Sequence, residues 1–295
     1  MIEISSSGDR CLCDFTFDFY WQHKGERLDM DQTVGGVSLR RMVQALMAGE
    51  TVRIRGDAGS RLGSSLGVDL ISFGGKGGPI EGTGRIIVDG DVGSRMGISM
   101  LRGAVYVSGN IELPLGNVVE ADSDMTGYRK FLSITEALEK GLAVREPNLA
   151  EDRGLILKDG ILRDTVAARN PSQKRVLLLG DAGMSTGILM SSGWVDVQGG
   201  ADRNTGALLA GGRVAVRGNA GDFTGVQMRG GEIFVEGNAG SFICSRMKGG
   251  AVYAREGKCI PPARMQPLNS SEQSALAKVL DLSAFYAMMY RKFSL

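Results

Sequence analysis

Aspartate and asparagine recur at one fixed position of this chain, directly after a glycine that closes a short apolar run. They are Asp57, Asp91, Asn110, Asp181, Asn219 and Asn238. Paired carboxylates could hydrolyse glycosidic bonds, as they do in some β-helix enzymes that act on polysaccharides. The same residue types also stabilise tight turns by hydrogen bonding to nearby backbone groups. Because the series mixes acids with amides and lies on a turn, we expect it to be structural.

Histidine and cysteine, the usual metal ligands and nucleophiles, are scarce. His23 is the single histidine, which excludes sites with several histidine ligands and most catalysis by histidine. The cysteines are Cys11, Cys13, Cys244 and Cys259. They contain a CxC pair but no CxxC or cluster-type run, so we expect reduced thiols, with Cys244 in place of a core glycine. We expect no catalytic, cofactor-binding or metal-binding residue in this chain.

Two further patterns have weaker functional interpretations. Arg61 and Arg95 share the same phase and could form a basic stripe, but salt-bridged surface arginines are the expectation. The motif G-x-A-G-x-x-x-G superficially resembles a phosphate-binding loop. It recurs from one repeat to the next and precedes no helix, so we do not predict phosphate binding.

The Asp and Asn series, the two arginines, Cys244 and the G-x-A-G motif all lie on a repeat of 19 residues. The closing glycines Gly180, Gly199, Gly218 and Gly237 are spaced by 19 residues. Seven positions after a closing glycine comes a second glycine, replaced by Cys244 after Gly237, and a large apolar residue follows after ten. A fixed period of this length is the signature of a solenoid, and 19 residues are too few for a βαβ unit, which needs about 30.

The sequence therefore predicts an all-β solenoid, a right-handed β-helix in which each 19-residue rung contains strand, turn, strand and turn. One face of each alternating run points inward. A ladder of apolar residues should lie in the core; its members are Leu66, Met100, Val119, Met190, Leu209, Met228 and Met247.

Three segments fall outside the repeat, so we predict five parts. They are an N-terminal cap (1–49), the first β-helix rungs (50–119), a helical excursion (120–171), the second rungs (172–257) and a C-terminal helical tail (258–295). The cap contains an alternating strand, CLCDFTFDFYWQ, and a helix from Ser38 to Gly49.

The excursion and the tail are predicted to have separate roles. The excursion contains a short helix capped at Ser133 or Thr135 and stopped by Gly141, and we expect it to be a docking element outside the core. The tail begins its helix with a capping box of Ser270 and Gln273. It covers either the last rung or a neighbouring subunit, and we favour the last rung.

Charge and hydropathy favour a cytoplasmic protein that binds neither nucleic acid nor membrane. The chain has 34 Lys and Arg against 33 Asp and Glu, without a basic block. No stretch approaches the roughly 20 apolar residues of a membrane-spanning helix, and the N-terminus lacks the order of a signal peptide.

The repeats GNAGDFTGVQMRGG (218–231) and GNAGSFICSRMKGG (237–250) resemble the GXGXG repeat of two related families. One family is the β-helical GXGXG subunit of formylmethanofuran dehydrogenase, with its bacterial counterpart in the formyltransferase/hydrolase complex. The other is the C-terminal β-helix of the glutamate synthase large subunit. The resemblance covers about residues 50–119 and 172–257.

The resemblance to formylmethanofuran dehydrogenase implies a non-catalytic scaffold in a cytoplasmic complex of one-carbon metabolism, as in methanogenesis. In that family the molybdenum or tungsten pterin, the iron–sulfur clusters and zinc belong to partner subunits. The chain is thus expected to bind other protein subunits and no cofactor. One alternative is a stand-alone glutamate-synthase-like GXGXG subunit. Another, of a different class, is a β-helix enzyme that acts on polysaccharides.

Overall fold

The computed structural model describes residues 1–6 and 29–295. The chain forms two compact units, Met1–Arg145 (unit 1) and Glu146–Leu295 (unit 2). In each unit, successive turns of the chain place parallel strands side by side, so the predicted β-solenoid is confirmed. The predicted strand CLCDFTFDFYWQ lies outside the described residues.

In its described residues, 1–6 and 29–145, unit 1 contains a six-stranded sheet, a small hairpin and two α-helices. Its elements are β1 Ile2–Ser5, β2 Thr33–Val34, β3 Val37–Ser38, α1 Leu39–Met47, β4 Val52–Arg55, β5 Arg85–Asp89, β6 Ala104–Val107, β7 Val118–Ala121, β8 Arg129–Ser133 and α2 Ile134–Lys140. The large sheet has the order β1-β4-β5-β6-β8-β7. Its first four strands are parallel, whereas β8 pairs antiparallel with β6 and covers the edge that another rung would extend.

Unit 2 contains a nine-stranded sheet, a short two-stranded pair and two helices. Its elements are β9 Leu149–Glu151, β10 Gly154–Leu157, β11 Arg175–Leu178, β12 Trp194–Val197, β13 Arg213–Val216, β14 Glu232–Val235, β15 Ser241–Ile243, β16 Ala251–Ala254, β17 Lys258–Cys259, β18 Arg264–Pro267, α3 Ser270–Leu280, α4 Ala284–Ala287 and β19 Arg291–Ser294. The large sheet has the order β18-β19-β16-β14-β13-β12-β11-β10-β9. The strands from β10 to β16 are parallel, and antiparallel strands close both ends of the stack.

The core of each solenoid consists of matched apolar positions on neighbouring rungs. In unit 2, Val195 lies opposite Val214, and Val214 lies opposite Ile233, all fully buried. The predicted apolar ladder is buried in both units, as Met100 and Met228 illustrate. Because neighbouring strands are about 4.8 Å apart, side chains of the same phase lie in continuous contact along the stack.

The second side of most rungs is a run of overlapping turns, which corrects the prediction of a second strand in every rung; in the last rung, β15 does form a strand there and pairs parallel with β17. In unit 2, the Ile188 N–H donates to Ser185 O, and the Met190 N–H donates to Gly187 O, at 3.0 and 3.2 Å. Ser185, Gly187 and Leu189 all have positive φ, between 57° and 71°. Their N–H groups still form hydrogen bonds to neighbouring rungs. The N–H groups of Ser185 and Leu189 donate to the next rung, and the N–H group of Gly187 donates to the preceding rung. The backbone is therefore satisfied without a strand.

The glycine seven positions after each closing glycine leaves room for a side chain from the opposite wall. A Cβ at Gly187 would lie 2.7 Å from Val214 Cγ2, and one at Gly225 would lie 2.9 Å from Val252 Cγ2. Cys244 occupies the same phase in the last rung, where β19 follows instead of another parallel strand. Its buried thiol lies 3.7 Å from the Phe293 carbonyl oxygen. The sulfur fills space that a further rung would otherwise occupy.

The start of the chain differs in part from the predicted N-terminal cap. β1 pairs parallel with β4, so residues 2–5 already contribute a strand to the stack instead of preceding it. The helix prediction is confirmed, since α1 follows the N-cap Ser38, whose hydroxyl accepts the Arg41 N–H. The chain leaves the helix through Gly49, which has a φ of 82°.

The predicted excursion of residues 120–171 is not one insertion, and it is not outside the core. Its first part, β8 and α2, closes unit 1 and buries Phe131 and Ile134. Its second part provides β10, which pairs parallel with β11 and begins the stack of unit 2. The short helix itself is as predicted, with Ser133 as N-cap and Gly141 in the left-handed conformation at its end.

The C-terminal tail covers the last rung, as favoured by the sequence, but a strand and not a helix forms that edge. β19 pairs antiparallel with β16, and β18 pairs antiparallel with β19. The capping box of α3 uses Asn269 and Glu272, one residue earlier than predicted, since Asn269 has the extended backbone (φ −79°, ψ 172°) that an N-cap requires.

Candidate functional site

The Asp and Asn series forms side-chain ladders that hold neighbouring rungs together. In unit 1, Asp57 Oδ1 accepts the Asp91 N–H at 2.8 Å, and Asp91 Oδ1 accepts the Asn110 N–H at 2.7 Å. In unit 2, Asn219 Oδ1 accepts the Asn238 N–H at 2.9 Å. Each side chain thus satisfies a backbone donor of the next rung. This geometry supports the structural interpretation of the series.

Asp181 serves the same purpose two rungs before Asn219 in unit 2, where its Oδ1 accepts the Gly200 N–H at 2.7 Å. Arg61 and Arg95 occupy equivalent left-handed positions in unit 1, with φ values of 65° and 64°. Both are half-buried in the turn run. The two arginines therefore belong to the turn face and not to the face formed by the strands.

The two described cysteines have contrasting environments. Cys244 is buried, and burial raises the pKa of its thiol to about 12, so it stays protonated and unreactive at neutral pH. Cys259 is only partly buried. Cys11, Cys13 and His23 lie outside the described residues. Within residues 1–6 and 29–295, no group of three or more His, Cys, Asp and Glu side chains is arranged to hold a metal ion.

The strand face of unit 1 carries a polar cluster that the sequence did not reveal. Tyr106 points away from the core, since its neighbours Val105 and Val107 point inward, yet only 2% of it is exposed. Its hydroxyl donates to Asp124 Oδ1 at 2.7 Å, and Lys130 Nζ donates to the same oxygen at 2.9 Å. The Lys130 ammonium also lies 5.6 Å from the centre of the Tyr106 ring.

A second cluster of similar composition lies on the same face, on β4 and β5. Asp89 accepts two hydrogen bonds from Arg53, at 2.8 and 3.1 Å, and one from the Tyr128 hydroxyl at 2.6 Å. Arg55 adds a longer contact to Asp89 and pairs closely with Glu3. Each cluster thus combines one aspartate, one tyrosine and at least one cation. Because β4 and β5 are parallel neighbours, their outward side chains meet at this edge.

A shallow cleft of about 380 Å³ lies beside the first cluster. Its lining includes Arg85, Tyr106, Lys130, Glu136 and Leu142. The Arg85 guanidinium lies 5.9 Å from the centre of the Tyr106 ring. The carboxylate of Glu136 accepts the Gly103 N–H and pairs with Lys140. The three charged residues that line the cleft, Arg85, Lys130 and Glu136, already have partners on this chain.

The electrostatics of these clusters keep the charged groups charged and the tyrosines neutral. Hydrogen bonds from Lys130 and Tyr106 lower the pKa of Asp124 to about 2. Burial raises the pKa of Tyr106, and its bond to Asp124 raises it further. Burial alone would raise the pKa of Asp89, but the bonds from Arg53 and Tyr128 outweigh it and lower that pKa. Such groups suit binding and positioning better than proton transfer near neutral pH.

We expect the Lys130→Gln substitution to raise the pKa of Asp124 from about 2 toward its ordinary value of 3.8, because the bond from Lys130 is the largest cause of the shift. The folded pKa is the lower one, so the ionised carboxylate stabilises the fold above pH ~4 and this effect is lost as the pH falls toward ~2. Titration of the carboxyl ¹³C resonance by NMR measures the midpoint. Lys140→Gln is the control, since Lys140 pairs with Glu136. An unchanged midpoint in Lys130→Gln would show that this pair does not form.

The strand face of unit 2 differs, because a helix covers it. Leu276, Val279 and Leu280 of α3 pack with the outward rings of Phe234 and Tyr253. The two rings stack with their centres 4.9 Å apart. These contacts confirm the sequence prediction that apolar residues of the tail cover the solenoid.

The second half of the tail does not share this role. Phe285 and Tyr286 of α4 and Met289 just after it are 69%, 53% and 52% exposed, so they do not cover the last rung. Met288 is exposed as well, whereas Ala287 and Tyr290 are buried against the sheet. We call Phe285, Tyr286, Met288 and Met289 the C-terminal apolar surface. The sequence showed these residues as apolar but not the break at Asp281, which divides the predicted helix into two.

Comparison with known proteins gives one informative relative. The chain is similar to an uncharacterised protein of Methanothermobacter thermautotrophicus. The two are 45% identical over 203 residues, which are 68% of this chain and 66% of that protein. No protein-family model matches the chain. No solved structure matches it. In the part of the chain that the structure describes, no helix has the length and apolar character to cross a bilayer.

Proposed function

We propose that this chain is a non-catalytic structural subunit of a cytoplasmic complex of one-carbon metabolism that resembles formylmethanofuran dehydrogenase. The main observation that supports the proposal is the structure of the repeated 19-residue rung. The G-[DN]-A-G turn, the second glycine and the Met or Leu ten positions on fold as one repeated unit, with matched register from β11 to β14. The resemblance of the sequence thus rests on residues with defined structural roles. In this proposal, partner subunits carry the metal and pterin chemistry.

Two further observations support a scaffold. The relative from Methanothermobacter thermautotrophicus places a similar chain in a methanogen. The C-terminal apolar surface exposes large side chains of a kind that soluble proteins usually bury or use for association. A stack of rungs is also suited to the task, since each rung contacts its neighbours and the whole presents an extended rigid surface.

The polysaccharide-enzyme alternative receives less support from the geometry. It depends on free carboxylates along the Asp and Asn series. Asp57, Asp91 and Asp181 each use one oxygen to accept a backbone N–H of the next rung. Asn219 makes the same bond with an amide oxygen, so this position of the rung does not require the carboxylate that a glycosidase needs. These bonds therefore favour the scaffold.

Reconstitution tests the proposal. The chain is co-expressed, with an affinity tag, beside the tungsten or molybdenum, iron–sulfur and zinc subunits of a methanogen formylmethanofuran dehydrogenase that lacks its own GXGXG subunit. We expect a stoichiometric complex in size-exclusion chromatography and mass spectrometry, and no one-carbon redox activity from the chain alone. The same subunits expressed without the chain are the control.

Two results would contradict the proposal. The first is turnover of a one-carbon substrate by the purified chain alone. The second is assembly with an amidotransferase and a flavin synthase domain instead of the subunits above, which would favour the glutamate-synthase-like alternative.

A further inference from the structure

The C-terminal apolar surface is unusual because it concentrates four large exposed side chains within five residues. Phe285, Tyr286, Met288 and Met289 are between 52% and 69% exposed. Single exposed apolar residues are common on proteins, but a contiguous group is typical of a surface that another molecule covers. Aromatic residues and methionine are also the types enriched at the centres of protein interfaces.

The segment that carries this surface is anchored by a helix cap and by buried residues, so the surface has a defined shape. Ser283 caps α4 by accepting the Tyr286 N–H, and Ala287 and Tyr290 anchor it to the sheet. The Tyr290 hydroxyl donates to the Glu236 carbonyl oxygen at 2.8 Å. The rings of Phe285 and Tyr286 lie edge to face, with centres 6.0 Å apart. A surface ordered in advance loses little entropy when a partner binds.

The positively charged side chain of Arg291 borders this surface and indicates that the partner carries a negative charge at this position. The Arg291 guanidinium donates to the backbone carbonyl oxygens of Tyr290 and Met288, at 2.9 and 3.5 Å. No carboxylate of the described residues pairs with it. The guanidinium has five N–H donors, so several stay available beside Met288. A carboxylate on the partner would complete its hydrogen bonds in the two-pronged geometry that arginine favours.

Two observations favour a protein over a lipid bilayer as the occupant. Binding to an anionic bilayer surface usually requires a cluster of about four to eight Lys and Arg. Here the next cation along the chain, Lys292, is already paired with Glu272 at 2.6 Å. Arginine beside Phe, Tyr and Met is instead the composition of protein interface centres.

We propose that the C-terminal apolar surface docks into an apolar groove of a partner subunit, with Arg291 bound to a carboxylate at the edge of that groove. The partner is one of the catalytic subunits of the proposed complex, so this inference rests on the proposed function. Phe285 and Met289 provide the apolar contact, and Arg291 fixes the orientation. Unit 2 thus carries a docking element in residues 285–291.

The test measures binding of the purified full-length chain to the defined partner subunits of the reconstituted complex by isothermal titration calorimetry. We expect Phe285→Ser with Met289→Ser to weaken binding at least about 30-fold, the effect of losing an interface centre. Leu162→Ser with Leu179→Ser is the matched control, because these leucines are also exposed in unit 2. Circular dichroism melts verify that all variants are folded.

Arg291→Gln provides an independent variant that removes the charge but keeps a polar side chain. We expect about tenfold weaker binding and a smaller loss of affinity between low and high salt than in the wild type, because the screened pair is absent. A purely structural role of Arg291 would not change the salt dependence. This variant decides the question if the double serine variant does not fold.

The outcomes separate the two proposals. If the wild type binds the subunits and both variants bind equally well, the docking surface lies elsewhere and the proposed function stands. If the wild type binds none of the subunits, both proposals are overturned. If the wild type binds vesicles of phosphatidylcholine and phosphatidylglycerol, and the double variant does not, the surface is a membrane contact and the docking proposal is overturned.

Discussion

Replacement of Gly231 by valine is expected to cost about 3–5 kcal/mol of folding free energy or to make the chain insoluble. Gly231 has a φ of 80°, and a Cβ there would lie 2.7 Å from the Gly212 carbonyl oxygen. That oxygen also accepts the Glu232 N–H at 3.0 Å. The backbone cannot move away without breaking a bond between rungs. Thermal and urea unfolding of the purified variant measure the loss.

A comparison with Gly160 separates the clash from the unusual backbone angle. Gly160 also has a positive φ, 71°, but a Cβ there meets nothing within 4 Å. The angle alone costs an L residue about 1–2 kcal/mol. Gly160→Ala should therefore lose only that amount, whereas Gly231→Ala should lose clearly more. Equal losses would mean that the close approach at Gly231 is not a constraint.

Gly212→Val should behave like Gly231→Val, one rung earlier. A Cβ at Gly212 would lie 2.7 Å from the Gly193 carbonyl oxygen, and its φ is 79°. The same contact thus repeats along the stack. Near-wild-type melting of both valine variants would contradict the close packing of rungs at this position.

Deletion of residues 124–168 with a short Gly-Ser bridge is expected to prevent folding. The shared phase of the repeats on both sides, taken alone, predicts the opposite. The deletion would remove β8 with Phe131, the helix α2, and β10, which begins the stack of unit 2. It would also remove the fully buried Arg163 and its ion pair with Asp159. Solubility on expression and the circular dichroism of any soluble product are the measurements.

The matched control removes one complete rung, residues 180–198, from the part of unit 2 in which the rungs repeat every 19 residues. β11 would then meet β13 in the register that β12 has with β13, because Val176, Val195 and Val214 occupy equivalent positions. This shorter chain should fold, with some loss of stability. If the longer deletion also gave a folded chain with normal melting, residues 124–168 would be dispensable after all.

The sequence predicted well those parts of the fold in which a given position of the 19-residue repeat has the same structural role in every rung. The strand cores, the buried ladder of Met and Leu and the helices α1 and α2 follow directly from periodicity and capping residues. The turn run was missed because its left-handed positions are filled by ordinary residues such as Ser185 and Leu189, which carry no glycine signal.

The polar clusters of unit 1 were missed for a different reason. Tyr106 and Asp124 are 18 residues apart, and Arg53 and Tyr128 are 75 apart, so only the stacking of strands brings them together. The period located the strands but did not indicate which outward residues of different segments would meet. In the tail, Asp281 adopts a left-handed conformation at the end of α3, a conformation that glycine usually marks.

The ladders of Asp and Asn side chains have a consequence for how charge builds up along a solenoid. The bond between rungs requires only an acceptor oxygen, which an amide supplies as well as a carboxylate does. Consecutive carboxylates at the spacing of strands, about 4.8 Å, would repel one another by roughly 1 kcal/mol per pair even in water. In unit 2, Gly200 follows Asp181, and the next two members, Asn219 and Asn238, are neutral. Amides thus allow the array to lengthen without an electrostatic penalty that grows with every added turn.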